Sequence, residues 1–343
     1  MARPDRGNLC REGSKELADL ITRPLGTTGL TVTPIGLGLA ALGRPAYVTL
    51  GRNEDVGADR SVAAMERRCH EVLDVAWARG IRYIDAARSY GRAEEFLASW
   101  LKSRERARTI TIGSKWGYTY TGAWRMDAPV HETKDLSLAT LRRQLTESRS
   151  LLGQRLNLYQ VHSATLESGV LDDAAVLGEL ARLRSEGLVI GLTVTGPRQA
   201  DTIRRALNLR IDGINPFQCV QATWNLLEPS AGSALGDAHR SGWGVIVKEA
   251  LANGRLTNEY GGPEVQSLQT HAAAVDSTVT ALAFSAALAQ PWSNVVLSGA
   301  VTPTQLDGNV RALQLKPADS THVPSIAENA DEYWSRRRQL PWN

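Results

Sequence analysis

Short apolar runs alternate with amphipathic segments along most of the chain. Eight runs rich in Ile, Val and Tyr recur, and each precedes a segment with helical periodicity. In chain order they read PIGLG, IRYIDA, TITIGSK, LNLYQVH, LVIGLTV, GINPFQCV, WGVIVKEA and NVVLSGA. Strands this uniformly apolar are typical of a parallel sheet that is covered by helices.

The segments between the runs carry the signals of helices. SVAAMERRCHEVLDVAWARG has the period of an amphipathic helix, and DDAAVLGELARLRSEG ends on a glycine in the C-cap position. Eight strand–helix units predict an α/β fold that closes into a (β/α)8 TIM barrel. An open, doubly wound sheet is the alternative, and it needs a phosphate-binding loop after one of its strands.

The candidate for such a loop is GLGLAALG, residues 36–43, which contains the letters G-x-G-x-x-A of a dinucleotide fingerprint. A strand can precede it, but Gly43, Pro45 and Gly51 stand where a pyrophosphate-binding helix would run. We therefore interpret the segment as a buried strand that turns sharply into a loop. This interpretation favours the barrel over the open sheet.

Composition limits the domain organisation and the partners. The 343 residues are 43% hydrophobic and 22% charged, with a formal net charge of +3. No linker-like stretch divides the middle, so we expect one barrel domain over residues 23–343 behind a flexible N-terminal arm over residues 1–22. Dispersed basic residues leave no electrostatic footprint for nucleic acid or a membrane. The first residues lack a signal-peptide core and no apolar stretch reaches span length, so a cytoplasmic location is expected.

The cysteines and histidines argue against a disulfide framework and a metal centre. Cys10, Cys69 and Cys219 lie far apart and have no C-x-x-C spacing. His162 has no H-x-x-H or H-x-x-x-D partner. We expect a protein without bound metal.

Polar residues end three successive predicted strands, which is where the chemistry of a barrel lies. Asp85 and Tyr90 follow the second run, Lys115 follows the third, and His162 ends the fourth. Taken singly, each has an ordinary structural explanation, such as a helix cap or a buried hydrogen bond. Together they form a coherent set: a phenol that gives a proton, an ammonium that lowers its pKa, a carboxylate that holds the ammonium, and an imidazole that orients a carbonyl.

At these residues the chain resembles the aldo-keto reductases, over about residues 23–315. RPLGTTGLTVTPIGLG is similar to the opening hairpin and first strand of that family, and GIRYIDAARSYGRAEEFL to its signature with the catalytic Asp and Tyr. SKWG and LNLYQVHSA supply its Lys and His. The resemblance implies a barrel with an N-terminal β-hairpin and a C-terminal helix. It also implies catalytic roles for Asp85, Tyr90, Lys115 and His162.

The same resemblance implies that a nicotinamide dinucleotide lies extended across the barrel mouth, with its phosphates held by loops late in the chain. The expected cofactor contacts are Gly38, Thr193, Gln221, Lys248, Leu251, Gly299, Gln305 and Asn309. Lys248 stands where an aromatic residue often covers the nicotinamide. Because Glu249 would point to the opposite face of the strand, we expect Lys248 to pair with a cofactor phosphate or with an anionic or hydroxylated substrate.

The adenine end departs from the family pattern. Gly299, Gln305 and Asn309 match its glycine, glutamine and asparagine, but the basic residues that many NADP-using members place there are missing. Arg255 and Arg311 are near in sequence and could substitute for them. NADP(H), rather than NAD(H), is the expected cofactor.

The function that follows is an NAD(P)H-dependent oxidoreductase that reduces an aldehyde or ketone, with Tyr90 as the general acid. The expected partner is therefore a small carbonyl or hydroxyl compound. Trp116 and the loop residues Tyr118 and Trp124 are expected to line its pocket. The same groups could work in reverse as an aldose or alcohol dehydrogenase, and a non-catalytic barrel that senses cofactor is a further alternative.

Overall fold

The N-terminal hairpin closes one end of the molecule. In this computed structural model, which describes residues 21–104, 109–259, 262–315 and 325–342, β1 (Arg23–Pro24) pairs antiparallel with β2 (Thr31–Val32). Their turn passes Gly26, where φ is +55° and a Cβ would lie 2.4 Å from the backbone nitrogen of Gly244. Only glycine fits this contact. Leu25 and Val32 pack with barrel residues to seal the end opposite the strand C-termini.

Eight parallel strands close a barrel in the order β10-β11-β12-β3-β4-β5-β8-β9. The strands are β3 (Ile35–Gly38), β4 (Tyr83–Asp85), β5 (Thr111–Trp116), β8 (Leu156–Ala164), β9 (Val189–Val194), β10 (Cys219–Thr223), β11 (Gly244–Lys248) and β12 (Val295–Ser298). A short hairpin, β6 (Tyr118–Tyr120) with β7 (Glu132–Lys134), stands on the loop after β5. The predicted TIM barrel is confirmed.

Helices follow the strands and cover the barrel. They are α1 (Arg52–Val56), α2 (Val62–Ala78), α3 (Ala93–Lys102), α4 (Leu138–Leu152), α5 (Ala174–Ser185), α6 (Gln199–Leu207), α7 (Gly232–Arg240), α8 (Pro263–Ala274), α9 (Val279–Leu288), α10 (Pro303–Arg311) and α11 (Ala330–Arg338). Helix α2 begins where the sequence predicts, because the Ser61 side chain accepts a hydrogen bond from the Ala64 amide. Helix α5 stops before Gly187, whose φ is +93°.

The GLGLAALG segment is a strand followed by a turn. β3 ends at Gly38, the Gly43 amide donates to the Leu39 carbonyl, and the next helix begins only at Arg52. A Cβ at Gly43 would lie 2.2 Å from the Tyr90 carbonyl oxygen. The glycine is therefore needed for close packing, and the segment lacks the helix that a dinucleotide fingerprint requires.

Two expectations concern membranes and the chain ends. Among the described helices, no single one is long and apolar enough to cross a membrane. The segments Val265–Ala274 and Val279–Leu288 meet that test only as a pair bent by 88°, and most of α9 is buried in the core. Residues 1–20 of the predicted N-terminal arm lie outside the described part of the chain.

Candidate active site

A buried ion pair lies at the C-terminal ends of β4 and β5. The Lys115 ammonium contacts the Asp85 carboxylate and donates to the Ala86 carbonyl at 3.0 Å, and both charged side chains are at most 2% exposed. Asp85 also accepts hydrogen bonds from the Tyr83 hydroxyl at 3.2 Å and from the Gln221 amide at 2.9 Å. These donors satisfy the oxygens of the buried Asp85 carboxylate.

Two rings stand above this pair. The Tyr90 ring lies with its centroid 4.8 Å from the Lys115 ammonium nitrogen and 5.6 Å from the His162 ring centroid, in an edge-on arrangement. A β-bulge in β8, with Ser163 at a φ of +56°, places His162 at the cavity wall. The Ser163 amide is held by the Thr193 hydroxyl at 2.7 Å. The structure thus brings the four predicted catalytic residues together.

Both rings are held in their neutral forms. Burial, with the Asp85 carboxylate nearby, raises the pKa of Tyr90 well above 10.0. Burial and the charges of Lys115 and Arg44 lower the pKa of His162 well below 6.5. The direction of the Tyr90 pKa shift is opposite to the sequence-based expectation, because desolvation of the phenolate dominates and the Asp85 carboxylate adds to it, against the charge of Arg44.

A cavity of about 1050 Å³ opens beside Tyr90 and His162 and continues to the loops around α10. This volume is at the upper end of the range for sites that enclose a small organic molecule. All eight residues predicted to bind cofactor line it: Gly38, Thr193, Gln221, Lys248, Leu251, Gly299, Gln305 and Asn309.

The cavity wall near α10 fits the phosphates of a dinucleotide. A Cβ on Gly299 or Gly308 would meet no atom within 4 Å, so both glycines leave open space along the wall. Helix α10 begins behind Thr302, whose hydroxyl caps the helix by accepting from the Gln305 amide at 3.2 Å. Hydroxyl groups and the amides of a helix N-terminus are the donors that phosphate prefers.

Lys248 has a protein partner, which corrects the expectation that Glu249 points away from it. Its ammonium donates to the Thr223 hydroxyl at 2.8 Å and lies 3.9 Å from a Glu249 carboxylate oxygen. β11 ends at Lys248, and Glu249 adopts a φ of +58°, so the alternation of a strand does not extend to it. Arg337 of α11 pairs with the same carboxylate at 3.0 Å.

This network sets the charges beside Tyr90 and His162. Burial opposes ionisation of Glu249, but Arg337 and Lys248 outweigh it and lower the pKa of Glu249 to about 2. Burial also lowers the pKa of Lys248 to about 8, although Glu249 counteracts it.

The predicted substrate residues separate into two groups. Tyr118 lines the cavity, with its ring centroid 5.0 Å from that of His162. Trp116 is fully buried in the core and does not line the cavity. Trp124 donates its indole N–H to the Arg60 carbonyl at 2.7 Å and packs edge-on against Phe96, also away from the cavity. The structure thus places both tryptophan rings away from the cavity, in packing contacts.

Sequence reasoning missed an aromatic and charged group over Tyr90. The Arg44 guanidinium lies 5.2 Å from the Tyr90 ring centroid and 4.7 Å from that of Trp342, and it pairs with Glu132 at 2.8 Å. Tyr47 is 4.9 Å from the same guanidinium. These residues belong to three distant parts of the chain, so no local pattern links them.

The arginines proposed for a 2′-phosphate are placed elsewhere. Arg255 is 4% exposed and its guanidinium pairs with Glu328, 3.0 Å from one carboxylate oxygen. Arg311 is exposed at the end of α10 and does not line the cavity. Among the described residues, no group of three or more His, Cys, Asp or Glu side chains could hold a metal ion.

Comparison with known proteins agrees with this fold and identifies the family. The model of the aldo/keto reductase family matches residues 34–330. An NADH-specific methylglyoxal reductase of Escherichia coli is 26% identical, over 89% of this chain and 98% of that protein. An L-galactose dehydrogenase of Arabidopsis thaliana is 26% identical, over 85% of this chain and 87% of that protein. The holo form of an aldo-keto reductase from Bacillus halodurans shares the fold, with a TM-score of 0.67 at 22% identity over 91% of this chain and 97% of that one. The chain belongs to the aldo/keto reductase family.

Proposed function

We propose that this protein reduces a small polar aldehyde or ketone by hydride transfer from a nicotinamide dinucleotide, with Tyr90 as the general acid. As a member of its family it is an oxidoreductase. The observation that carries the finer proposal is the placement of the Tyr90 phenol, whose ring centroid lies 4.8 Å from the Lys115 ammonium and 5.6 Å from the His162 ring, at the wall of a cavity that continues to helix α10.

The residues divide the work of the reaction. When bound, the nicotinamide dinucleotide supplies the hydride. His162, being neutral, donates an N–H to the carbonyl oxygen and fixes its position without adding a charge. Tyr90 gives its proton to the oxygen as negative charge develops there. The Lys115 ammonium then stabilises the phenolate that remains, and Asp85 holds Lys115 in place.

The substrate end of the cavity suits a small polar molecule. Arg44 and Glu132 supply a donor and an acceptor beside Tyr90, and Tyr118 and Trp342 supply ring surfaces. Two relatives that match 89% and 85% of this chain are named for methylglyoxal and L-galactose, which are both small and polar. We propose a substrate of that class.

The test is turnover by the full chain with NADH or NADPH against a panel of aldehydes, ketones and sugars, followed by absorbance of the reduced nicotinamide. Tyr90→Phe should lower kcat by about 100-fold or more, the effect of losing a positioned general acid, while cofactor binding changes little. Tyr120→Phe is the matched control, since its hydroxyl accepts from the Trp124 amide at 3.0 Å outside the cavity. Its kcat should be unchanged.

Two results would contradict the proposal. A Tyr90→Phe variant with the unaltered rate would remove Tyr90 from the chemistry. Tight cofactor binding without turnover of any compound in the panel would favour the cofactor-sensing alternative.

A further inference from the structure

The long segment between β3 and α2 reaches across the cavity to the opposite loops. The Leu50 amide donates to the Asn253 carbonyl at 3.0 Å, and the Asn253 side-chain amide donates to the Val48 carbonyl at 2.9 Å. Arg52 is 1% exposed and donates to backbone carbonyls of the same segment, including that of Arg44 at 2.7 Å. These bonds fix α1 in a defined position at the rim of the cavity.

That position brings a carboxylate to the start of α10. The Gln305 side-chain N–H donates to the Asp55 carboxylate at 2.6 Å, although the two residues are 250 positions apart in sequence. The side-chain amide of Gln305 is held in this orientation because its oxygen accepts a hydrogen bond from the Val301 backbone amide at 3.0 Å. Asp55 and Gln305 both line the cavity, at the end expected to hold the adenosine half of the cofactor.

The charge at this end is negative. Glu54 and Glu259 line the cavity with Asp55, and partial burial together with these two carboxylates raises the pKa of Asp55 against the effect of its bond to Gln305. Five cations line the cavity within the described part of the chain: Arg44, Arg52, Lys248, Arg337 and Arg338. Of these, Arg44 stands at Tyr90, Arg52 binds carbonyls, Lys248 and Arg337 contact the network of Glu249, and Arg338 is the last residue of α11.

We propose that Asp55 makes this protein select NAD(H) against NADP(H), a role that rests on the proposed oxidoreductase function. A carboxylate accepts a hydrogen bond from a ribose 2′-hydroxyl and repels a 2′-phosphate. Within the described part of the chain, the charged side chains that act on Asp55 are Glu54 and Glu259, both anionic, which opposes the expectation of NADP(H) from sequence. The N-terminus of α10 attracts anions and would favour a 2′-phosphate. Binding measurements decide whether this attraction or the repulsion by Asp55 is larger.

The experiment measures dissociation constants for NADH and NADPH by quenching of tryptophan fluorescence in the full chain, at one fixed ionic strength. We expect NADPH to bind about 100-fold more weakly than NADH, because a like-charge contact is worth several powers of ten in affinity when it is not offset. Asp55→Asn should lower the ratio of the NADPH to the NADH dissociation constant at least tenfold, chiefly because NADPH binds more tightly. Asp55 is largely accessible to solvent despite its partial burial, and an asparagine oxygen can still accept the Gln305 bond, so the variant should keep its melting temperature.

Glu54→Gln is the matched control, because it removes the same charge from the neighbouring residue of α1 without touching the Asp55–Gln305 bond. Its ratio of NADPH to NADH dissociation constants should stay within about threefold of that of the unaltered protein. A ratio near one, tighter NADPH binding, or an equal shift in both variants would overturn the role of Asp55 and leave the proposed function intact. Failure of both dinucleotides to bind would instead overturn the proposed function.

Discussion

Glu249 is the side chain whose removal should test the charge network most directly. It is 9% exposed and is shared by Arg337, at 24%, and Lys248, at 17%. The Thr223 hydroxyl also donates to it at 2.8 Å. Glu249→Gln keeps the shape of the side chain and leaves two cations close together without their common anion.

The expected loss of stability follows from the pKa of Glu249. A lowering from 4.5 to about 2 corresponds to about 3 kcal/mol of interaction that favours the ionised folded form. Removing one partner of a buried ion pair costs about 3 to 5 kcal/mol, which agrees with this figure. Because the folded pKa is the lower one, the stabilisation is complete above pH 4.5 and is lost as the pH falls toward 2.

Urea unfolding followed by fluorescence measures this difference. At pH 7, Glu249→Gln should lower the free energy of unfolding by about 3 kcal/mol, and the gap to the unaltered protein should shrink once the pH falls below about 4.5. The matched control is Glu186→Gln, which breaks a pair with Arg182 whose side chains are about half exposed. Such a pair contributes about 1 kcal/mol or less. Equal losses in the two variants would refute the reasoning.

Three further changes test separate parts of the site. The raised pKa of Tyr90 keeps its phenol protonated, so kcat for reduction should be level from about pH 6 to 9, while alcohol oxidation should rise over that range; opposite pH profiles would contradict the acid role. Gly43→Ala puts a Cβ 2.2 Å from the Tyr90 carbonyl oxygen and should lower stability by about 2 kcal/mol in urea unfolding, whereas Gly38→Ala, with its nearest contact at 3.6 Å, should change it little; equal effects would refute the packing argument. In steady-state kinetics, Tyr118→Ala should raise KM for the carbonyl about tenfold and Trp124→Ala should leave it unchanged; the reverse order would return Trp124 to the substrate pocket.

The barrel was predictable because short apolar runs alternate with segments of helical periodicity along most of the chain. The sixth run shows the limit of that signal. GINPFQCV predicts a strand over 213–220, but β10 is Cys219–Thr223. Pro216 has no amide to donate, and the Asn215 side chain accepts from the Phe217 amide at 2.8 Å, which makes a local turn. The apolar residues before Cys219 therefore belong to a loop.

The four proposed catalytic residues were found from sequence because each ends an apolar run or closely follows one. Contacts between loops that are distant in sequence have no comparable local pattern. The bond from Gln305 to Asp55 and the pairing of Arg337 with Glu249 join residues that are 250 and 88 positions apart. The predicted direction of the Glu249 side chain was wrong for a related reason. The alternation of side chains along a strand does not apply beyond its last residue, and β11 ends at Lys248.

The electrostatics of the site bear on whether Tyr90 acts as an acid or as a base at neutral pH. A phenol whose pKa is raised by burial starts the cycle as an acid, and Asp85 reinforces this by opposing a second negative charge nearby. Proton transfer from Tyr90 would leave the Lys115 ammonium between two anions, the phenolate and Asp85, instead of one. A buried phenolate is unfavourable, and in the reduction it forms only as the alkoxide takes up the proton. The reverse reaction must begin with Tyr90 already ionised. At neutral pH we therefore expect Tyr90 to be ready as an acid for reduction, whereas oxidation would first require its phenol to be ionised.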